Sequence, residues 1–360
     1  MNNKNVFLFC SGIDDVLSGS SKVSGIQVQM SFWAKTFTMQ GWNVFTFTNN
    51  SSVVFIEGIS FVQSVRSKWF SITRLNLLQE FLNCIRCIRL HPDLVIVRGA
   101  SRSLFFISKF CNYKKIRILH FGASDTDFQP GCELISGSSV NRVFYQKAIG
   151  GIGNIVTQNI KQHDTLLSNY GKESLVLPNL WITSPIGTAM KQFDAIWVAN
   201  LRPLKRAEWF VDLAKEYSQY RFAIVGGVGV KEYFDLIKKQ AESIENLSFL
   251  GAKPFEEINL LMAKSRLLVC TSEFEGFPNT FLQAWAQSVP VVSTVNPSGV
   301  ITQFGLGYVV NDEVELKNAV QKMLMSELLY CKTQENIYSY FNAHHSAIIA
   351  YQKVINLVYN

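Results

Sequence analysis

Short, nearly continuous apolar runs alternate with longer stretches of helical period along the whole chain. Residues 6–10, 42–48, 92–99, 116–120, 155–158 and 174–177 read as strands in the first half. Residues 193–199, 222–225, 247–250, 267–270 and 291–294 read the same way in the second. Runs that are apolar throughout suit strands covered on both faces, as in a parallel sheet between helical layers. Between them, helical period is clear. Residues 25–40 carry Ile26, Val28, Met30, Trp33 and Phe37 and stop at Gly41; residues 71–90 carry Ile72, Leu75, Leu78, Leu82, Ile85 and Ile88. Further helices are expected over 159–170, closed by Gly171, from Lys205 or Arg206 onward through Phe210, Val211, Leu213 and Ala214, and over 232–244, 256–263, 279–288, 313–328 and 334–358. Residues 11–24 predict a polar loop, and 179–191, with Pro185 and Gly187, an irregular linker. The β-α-β order repeats on both sides of that linker. The expected fold class is α/β, with two doubly wound Rossmann-like domains.

Composition narrows the picture. At 360 residues the chain is long for one core, and 48% hydrophobic with 17% charged residues is the balance of a globular protein. No apolar run reaches the roughly 18 residues of a membrane-spanning helix, and the first residues offer only a five-residue apolar run, too short for a signal peptide. A cytoplasmic protein is expected. Its seven cysteines are scattered; Cys84 and Cys87 have metal-ligand spacing but no second pair, and read as buried reduced thiols. The net charge of +7 is uneven: residues 1–180 hold 18 Lys and Arg against 10 Asp and Glu, and residues 181–360 hold 16 against 17. An anionic partner for the first half follows. No nucleic-acid motif accompanies the charge, so anionic lipid or a phosphorylated acceptor is favoured over nucleic acid. The 71–90 helix, with Arg74, Arg86 and Arg89, fits either a membrane surface or a helix packed on the sheet with a solvated basic face.

Four places carry candidate chemistry. Residues 271–290 read TSEFEGFPNTFLQAWAQSVP, between two strands. Glu275 stands just before Gly276 and Pro278, with a helix starting near Asn279. A carboxylate there faces the crevice at the carboxyl ends of parallel strands, or merely complements the helix dipole. Residues 199–207 place Arg202 and Lys205 ahead of another helix, where side-chain charge and free N–H groups together suit a pyrophosphate; a solvated helix start is the plainer reading. The turn after the first strand is rich in Ser and Gly and ends in Ser24-Gly25. It lacks the dinucleotide fingerprint, and fits either close approach to a phosphate or sugar or a simple strand-to-helix turn. His120, at a strand end before Asp125 and Asp127, can hydrogen-bond a sugar hydroxyl or serve the fold alone.

The 271–290 segment resembles the signature of the retaining, family-four glycosyltransferases of the GT-B fold: a Glu with Gly and Pro after it, seven residues, then a second Glu. Glu275 matches the first position, and Gln283 stands at the second. The resemblance runs in order over roughly residues 1–360 and is densest from 195 to 310. It implies an acceptor-side domain over 1–182, a nucleotide-sugar domain over 183–335 facing it across a cleft, and a final segment, 336–360, that crosses back. It also implies transfer of a hexosyl or N-acetylhexosaminyl unit from a nucleotide-sugar donor to a hydroxyl, with retention. The implied acceptor is a glycan or a polyprenyl-diphosphate-linked one, in bacterial surface polysaccharide synthesis, with the protein peripheral on the inner face of the cytoplasmic membrane.

In that comparison Glu275 and His120 are the catalytic residues that touch the donor sugar. Lys205 holds the diphosphate. Asn200 occupies the usual Arg position, so Arg202 is the candidate substitute. Gly276, Phe277, Pro278, Asn279 and Gly251 line the donor site, Gln283 meets the ribose, and Ser24 and Gly25 form the cleft loop. No cofactor and no metal are implied, since the Asp125-Thr126-Asp127 run lies in the wrong half. Gln283 and Asn200 keep open a second reading, a non-catalytic GT-B subunit that binds a sugar or partner. A third is another two-domain Rossmann-like protein, such as an epimerase or phosphorylase.

Overall fold

The protein is described from a computed structural model, which covers residues 4–20, 23–52, 55–65, 76–133, 139–182, 189–275 and 277–360. These fall into two compact units: an N-terminal unit that runs to Ile182 and takes back His345–Asn360, and a C-terminal unit that ends at His344.

In the N-terminal unit the strands are β1 (Asn5–Ser11), β2 (Asn43–Thr48), β3 (Phe55–Ile56), β4 (Ile59–Gln63), β5 (Leu94–Arg98), β6 (Arg117–Phe121), β7 (Asn154–Thr157) and β8 (Leu175–Val176). They form one sheet in the order β3-β4-β2-β1-β5-β6-β7-β8, parallel except for β3 against β4. The chain winds outward from β1 through β2 and β4, then returns beside β1 and winds the other way from β5. The β1/β5 boundary is therefore a topological switch point, where open sheets leave a crevice at the carboxyl ends of their strands. Burial follows the apolar runs: Val6, Phe7, Leu8, Leu94, Val95 and Ile96 are all fully inaccessible.

Helix ends in this unit have local causes. The Gly25–Met39 helix begins in a capping box, in which the Ser24 hydroxyl accepts from the Gln27 N–H and the Gln27 side chain accepts from the Ser24 N–H. Asn159 caps the Ile160–Tyr170 helix, and Gly171, at φ 63°, closes it. Cys84 and Cys87 are buried free thiols, and burial raises the pKa of both, as expected of inert core cysteines.

Several sequence expectations are corrected. The 11–24 loop contains a short helix, Ile13–Leu17, anchored because Ile13 is buried and the Asp14 carboxylate accepts from Thr48 and Asn50. Of the 71–90 helix, Asn76–Ile88 is observed; Ile72, Arg74 and Leu75 lie outside the described residues. The helix expected over 279–288 is only Asn279–Trp285, and that over 313–328 ends at Met325. The long helix expected over 334–358 is two, Glu327–His344 and Ala347–Tyr359. The break follows from a tertiary tie. Ser346 leaves helical geometry at φ −63°, ψ 125°, and the Trp181 N–H donates to the His345 carbonyl at 3.1 Å. The His345 Nδ1–H donates to the Asn179 carbonyl at 2.7 Å. The returning segment thus begins at 345, not 336. Ala347–Tyr359 then packs on Gly25–Met39 and the start of β2, where Tyr351 accepts from the Trp42 indole at 2.8 Å and stacks edge-on to Phe37.

The C-terminal unit has β9 (Phe193–Val198), β10 (Phe222–Val225), β11 (Leu247–Gly251), β12 (Ser265–Cys270), β13 (Val291–Ser293) and β14 (Gly307–Val309), all parallel, in the order β11-β10-β9-β12-β13-β14. Trp197, Phe210, Phe222, Leu267 and Val292 share one core with the Glu313–Met325 helix. Gly226 is required where the exits of β9 and β10 meet, because a side chain there would lie 1.9 Å from the Ala199 carbonyl oxygen. No helix among the described residues is long and apolar enough to cross a membrane.

Candidate functional site

The segments after β9 and β12 lie side by side, because β9 and β12 are paired at the centre of the C-terminal sheet. Their backbones are joined: the Glu273 N–H donates to the Leu204 carbonyl at 2.9 Å. The Thr271 hydroxyl, fully buried, accepts from the Trp197 indole at 3.0 Å and donates to the Lys205 carbonyl at 2.6 Å. Arg206 closes the join from the other side. Its Nε–H donates to the Thr271 carbonyl at 2.7 Å, and its guanidinium lies 4.2 Å from the centre of the Trp209 ring. Arg206 holds a left-handed backbone, φ 47°, at the cap of the Ala207–Glu216 helix. A non-glycine residue there is uncommon and is kept by these contacts.

The result is a fixed charge pair. The Lys205 ammonium meets the Glu275 carboxylate, which also accepts from the Ser272 hydroxyl at 2.9 Å. Both side chains remain about one-fifth exposed, so each charge is reachable from outside. Asn200 is exposed, and its side-chain oxygen accepts from the Gly227 N–H. Arg202 is exposed, beside Gly229, and its guanidinium has no hydrogen bond or ion pair among the described residues. The position is cationic and exposed, beyond the carboxyl end of β9.

The other C-terminal candidates fall at the same ends of the sheet. Gly251, at φ 67°, ends β11; its carbonyl accepts from the Gly226 N–H, and nothing stands within 4 Å of where its side chain would be. Pro278 and Asn279 begin the Asn279–Trp285 helix, and the Phe277 ring stands edge-on to Trp285 at 6.1 Å. Gly276 lies outside the described residues. Gln283 is 4% exposed, and its amide donates to the Asn259 side chain at 3.1 Å.

In the N-terminal unit, Ser24 spends its hydroxyl on the helix cap and Gly25 is the first helical residue, which is the strand-to-helix turn reading. His120 is a correction. It sits within β6, paired with Val97 and Ile155, and is fully buried. Its Nε2 shares a hydrogen bond with the Tyr145 hydroxyl at 3.1 Å, and its ring stands edge-on to Phe128 and Tyr145. Burial, with a smaller contribution from the Arg98 charge, pushes its pKa down to about 3, so it is neutral at ordinary pH. In this conformation it has no surface to offer a sugar. Asp125 and Asp127 are also engaged. Asp127 accepts from the Ala123 and Ser124 N–H groups, and Asp125 accepts from Asn159, Gln162 and Lys161. Among the described residues no group of His, Cys, Asp and Glu could hold a metal ion.

Sequence reasoning missed Thr271, Ser272 and Arg206. Nothing in the spacing marks a hydroxyl whose partner lies 66 residues away. The one available signal was that polar Thr271-Ser272 directly follow a fully apolar strand end.

Residues 183–340 match the family model described as Glycosyl transferases group 1. The Vi polysaccharide biosynthesis protein VipC/TviE of Salmonella typhi is 29% identical over 94 residues, 25% of this chain. The matched stretch spans only 16% of that relative's length. Among solved structures, WaaG, a glycosyltransferase involved in lipopolysaccharide biosynthesis, is similar with a TM-score of 0.68 at 14% identity, over 99% of this chain and 100% of that one. A TarM mutant of S. aureus, in complex with fondaparinux, alpha-GlcNAc-glycerol and UDP, gives 0.59 at 16% identity, over 77% of this chain and 58% of that one. At such identities the structures speak for the fold. Residues 183–340 thus match the glycosyl transferases group 1 family, and the chain shares the GT-B fold of these structures.

Proposed function

We propose that the protein moves a hexosyl or N-acetylhexosaminyl unit from a nucleotide-sugar to a hydroxyl of a glycan or lipid-linked acceptor, with retention, in the assembly of a bacterial surface polysaccharide. One observation carries this reading: Lys205 and Glu275 are held as a reachable charge pair at the paired carboxyl ends of β9 and β12. A donor presents a diphosphate to the ammonium and sugar hydroxyls to the carboxylate. Lys205 thereby trades a carboxylate for a phosphate, and Glu275 trades the ammonium for neutral hydroxyl donors.

In the transfer, the bond from the anomeric carbon to the diphosphate oxygen breaks and a bond to the acceptor oxygen forms. The hydroxyl proton leaves with the departing diphosphate. Positive charge grows at the sugar and negative charge at the leaving oxygen. Lys205 and Arg202 stabilise the latter, and Glu275 orients the ring through its hydroxyls. With two cations available for the diphosphate, the reading assigns no metal and no other cofactor. The polysaccharide setting is supported by what VipC/TviE and WaaG are named for, and a nucleotide donor by the UDP bound in the TarM complex.

The same proposal places the N-terminal unit against an anionic membrane surface on the cytoplasmic side. Leu77, Leu78 and Phe81 are each about two-fifths exposed on the Asn76–Ile88 helix, and Arg86 and Arg89 are exposed at its C-terminal end. Co-sedimentation with vesicles containing anionic lipid is expected, and its absence at low salt removes this part.

The decisive experiment is a screen of UDP- and GDP-sugars for release of the nucleoside diphosphate, followed by the anomeric configuration of the product. Turnover with retention is expected. An inverted product overturns the retaining assignment. A donor that binds but is never turned over favours the non-catalytic subunit, for which Gln283 and Asn200 are the motivation.

A further inference from the structure

The N-terminal sheet carries a cavity of about 300 Å³ at the carboxyl ends of β1, β2 and β5. It lies at the β1/β5 switch point, where an open α/β sheet binds ligands, and its size is at the lower end for small-molecule sites. Its polar wall includes Ser11, Asn49, Ser64, Ser101 and Ser103, with Phe9, Phe47 and Val97 behind them. Two charged side chains line it, Arg98 and Glu80.

These two charges are in different situations. Glu80 is neutralised: Arg102 grips both of its oxygens, with Nε at 3.1 Å from each. Arg98 has no such partner. One terminal nitrogen donates to the Asn179 side-chain oxygen at 2.6 Å, and the guanidinium lies 5.8 Å from the centre of the Phe121 ring. Its Nε–H is buried with no hydrogen-bond partner, and it makes no ion pair among the described residues. Asp127 acts on it only at longer range, and burial brings its pKa down to about 10, which leaves it a cation at neutral pH. A guanidinium drawn out of water is normally matched by a carboxylate or phosphate, because the unpaired charge is costly and the planar fork fits both anions. Here no counter-charge pairs with it among the described residues, and the cation borders a cavity lined with hydroxyl and amide groups.

We propose that this cavity is a binding site for an anionic sugar, with its phosphate or carboxylate on Arg98 and its hydroxyls among the serines and asparagines. On the function proposed above, that anionic sugar is part of the acceptor. The site itself is defined in the N-terminal unit alone, so it is tested without a donor.

The test measures binding to the full chain by calorimetry, with glucose 6-phosphate, glucuronate and glucose as probes. Binding of the phosphate or the carboxylate sugar, at least about tenfold tighter than glucose, is expected, and the stronger of the two names the anion. Arg98→Gln is expected to remove that preference. Arg98 also holds Asn179, so a second variant is needed that touches no hydrogen bond. Ser101→Leu fills the cavity from a side chain with no bonded partner among the described residues, and is expected to weaken the anionic sugar at least tenfold while the urea midpoint stays put. Equal binding of glucose and the charged sugars overturns the proposal. So does unchanged binding in Ser101→Leu, or no binding of either anion to the wild-type chain. None of these results touches donor turnover, which is read in the C-terminal unit.

Discussion

The Thr271 hydroxyl donates to the Lys205 carbonyl at 2.6 Å while accepting from the Trp197 indole at 3.0 Å. This single buried oxygen sets where the backbone of Lys205 lies relative to the end of β12, and so where its ammonium meets Glu275. Thr271→Val keeps the shape and removes both bonds, leaving the Lys205 carbonyl and the Trp197 N–H unsatisfied. A loss of about 1–3 kcal/mol in stability is expected by urea unfolding, along with weaker donor binding. Thr271→Ser restores both. A valine variant as stable and as active as the wild type shows that the hydroxyl positions nothing.

Glu275→Gln and Lys205→Met separate function from folding. The pair is partly exposed, so each change is expected to alter stability by no more than about 1 kcal/mol. By contrast, each removes an interaction aimed at charge that develops in the transition state, for which a fall in kcat of about 10²–10³ is expected. Rates within threefold of the wild type, measured as nucleoside diphosphate release, refute these roles.

Gln283→Glu restores a carboxylate at the position where this chain departs from the signature it resembles. A carboxylate accepts ribose hydroxyls more strongly than an amide oxygen, and tighter donor binding, by about tenfold, is expected. The structure adds a condition. Gln283 now donates to Asn259, so the glutamate variant must turn the Asn259 amide over to avoid two facing oxygens. The double variant Gln283→Glu with Asn259→Ala relieves that conflict. If donor affinity rises in neither variant, Gln283 does not contact the ribose.

His120 carries a pH prediction whose sign is fixed by its burial. Its folded pKa, about 3, lies below the ordinary value of 6.5, so the unfolded chain binds a proton that the folded chain refuses. Stability from this group is therefore complete above the unfolded pKa and is lost as pH falls from about 6.5 toward 3. The slope it contributes is at most about 1.4 kcal/mol per pH unit. His120→Gln is expected to flatten acid destabilisation in that window and to leave the pH profile of turnover above pH 6 unmoved. An acid limb in kcat that disappears in the variant instead returns the residue to a catalytic role.

Chelation tests the absence of metal from the proposed chemistry. Turnover in EDTA is expected to equal that in magnesium. A loss on chelation, restored by a divalent ion, means that Lys205 and Arg202 do not suffice for the diphosphate.

Much of this was legible in the sequence, and the reason is locality. Most strands are apolar runs that end up sandwiched between helical layers, and their positions came through within a residue or two; Phe55–Ile56, Ile59–Gln63 and Gly307–Val309, short strands toward the sheet edges, did not. Ser24 with Gln27 and Asn159 with Gln162 mark helix starts through groups three residues apart, and Gly171 marks a helix end by its own left-handed backbone. Glu275 and Lys205 could be chosen as candidates because each precedes a helix at a strand's end, a placement that local pattern reveals.

What only the tertiary structure decided depends on partners far apart in the chain. His120 looked like a strand-end ligand until Tyr145 and Phe128 were found against it. The last long helix looked continuous until Trp181 and Asn179 captured His345 and broke it at Ser346. Arg98 was one residue of an apolar strand until its lack of an ion-pair partner among the described residues became visible. Helical period, strand runs and caps are written by neighbouring residues, so the sequence by itself determined the two α/β halves and the charges worth examining. Burial, pairing and the lack of pairing are settled by residues that meet only on folding, and those facts separate a site residue from a core residue.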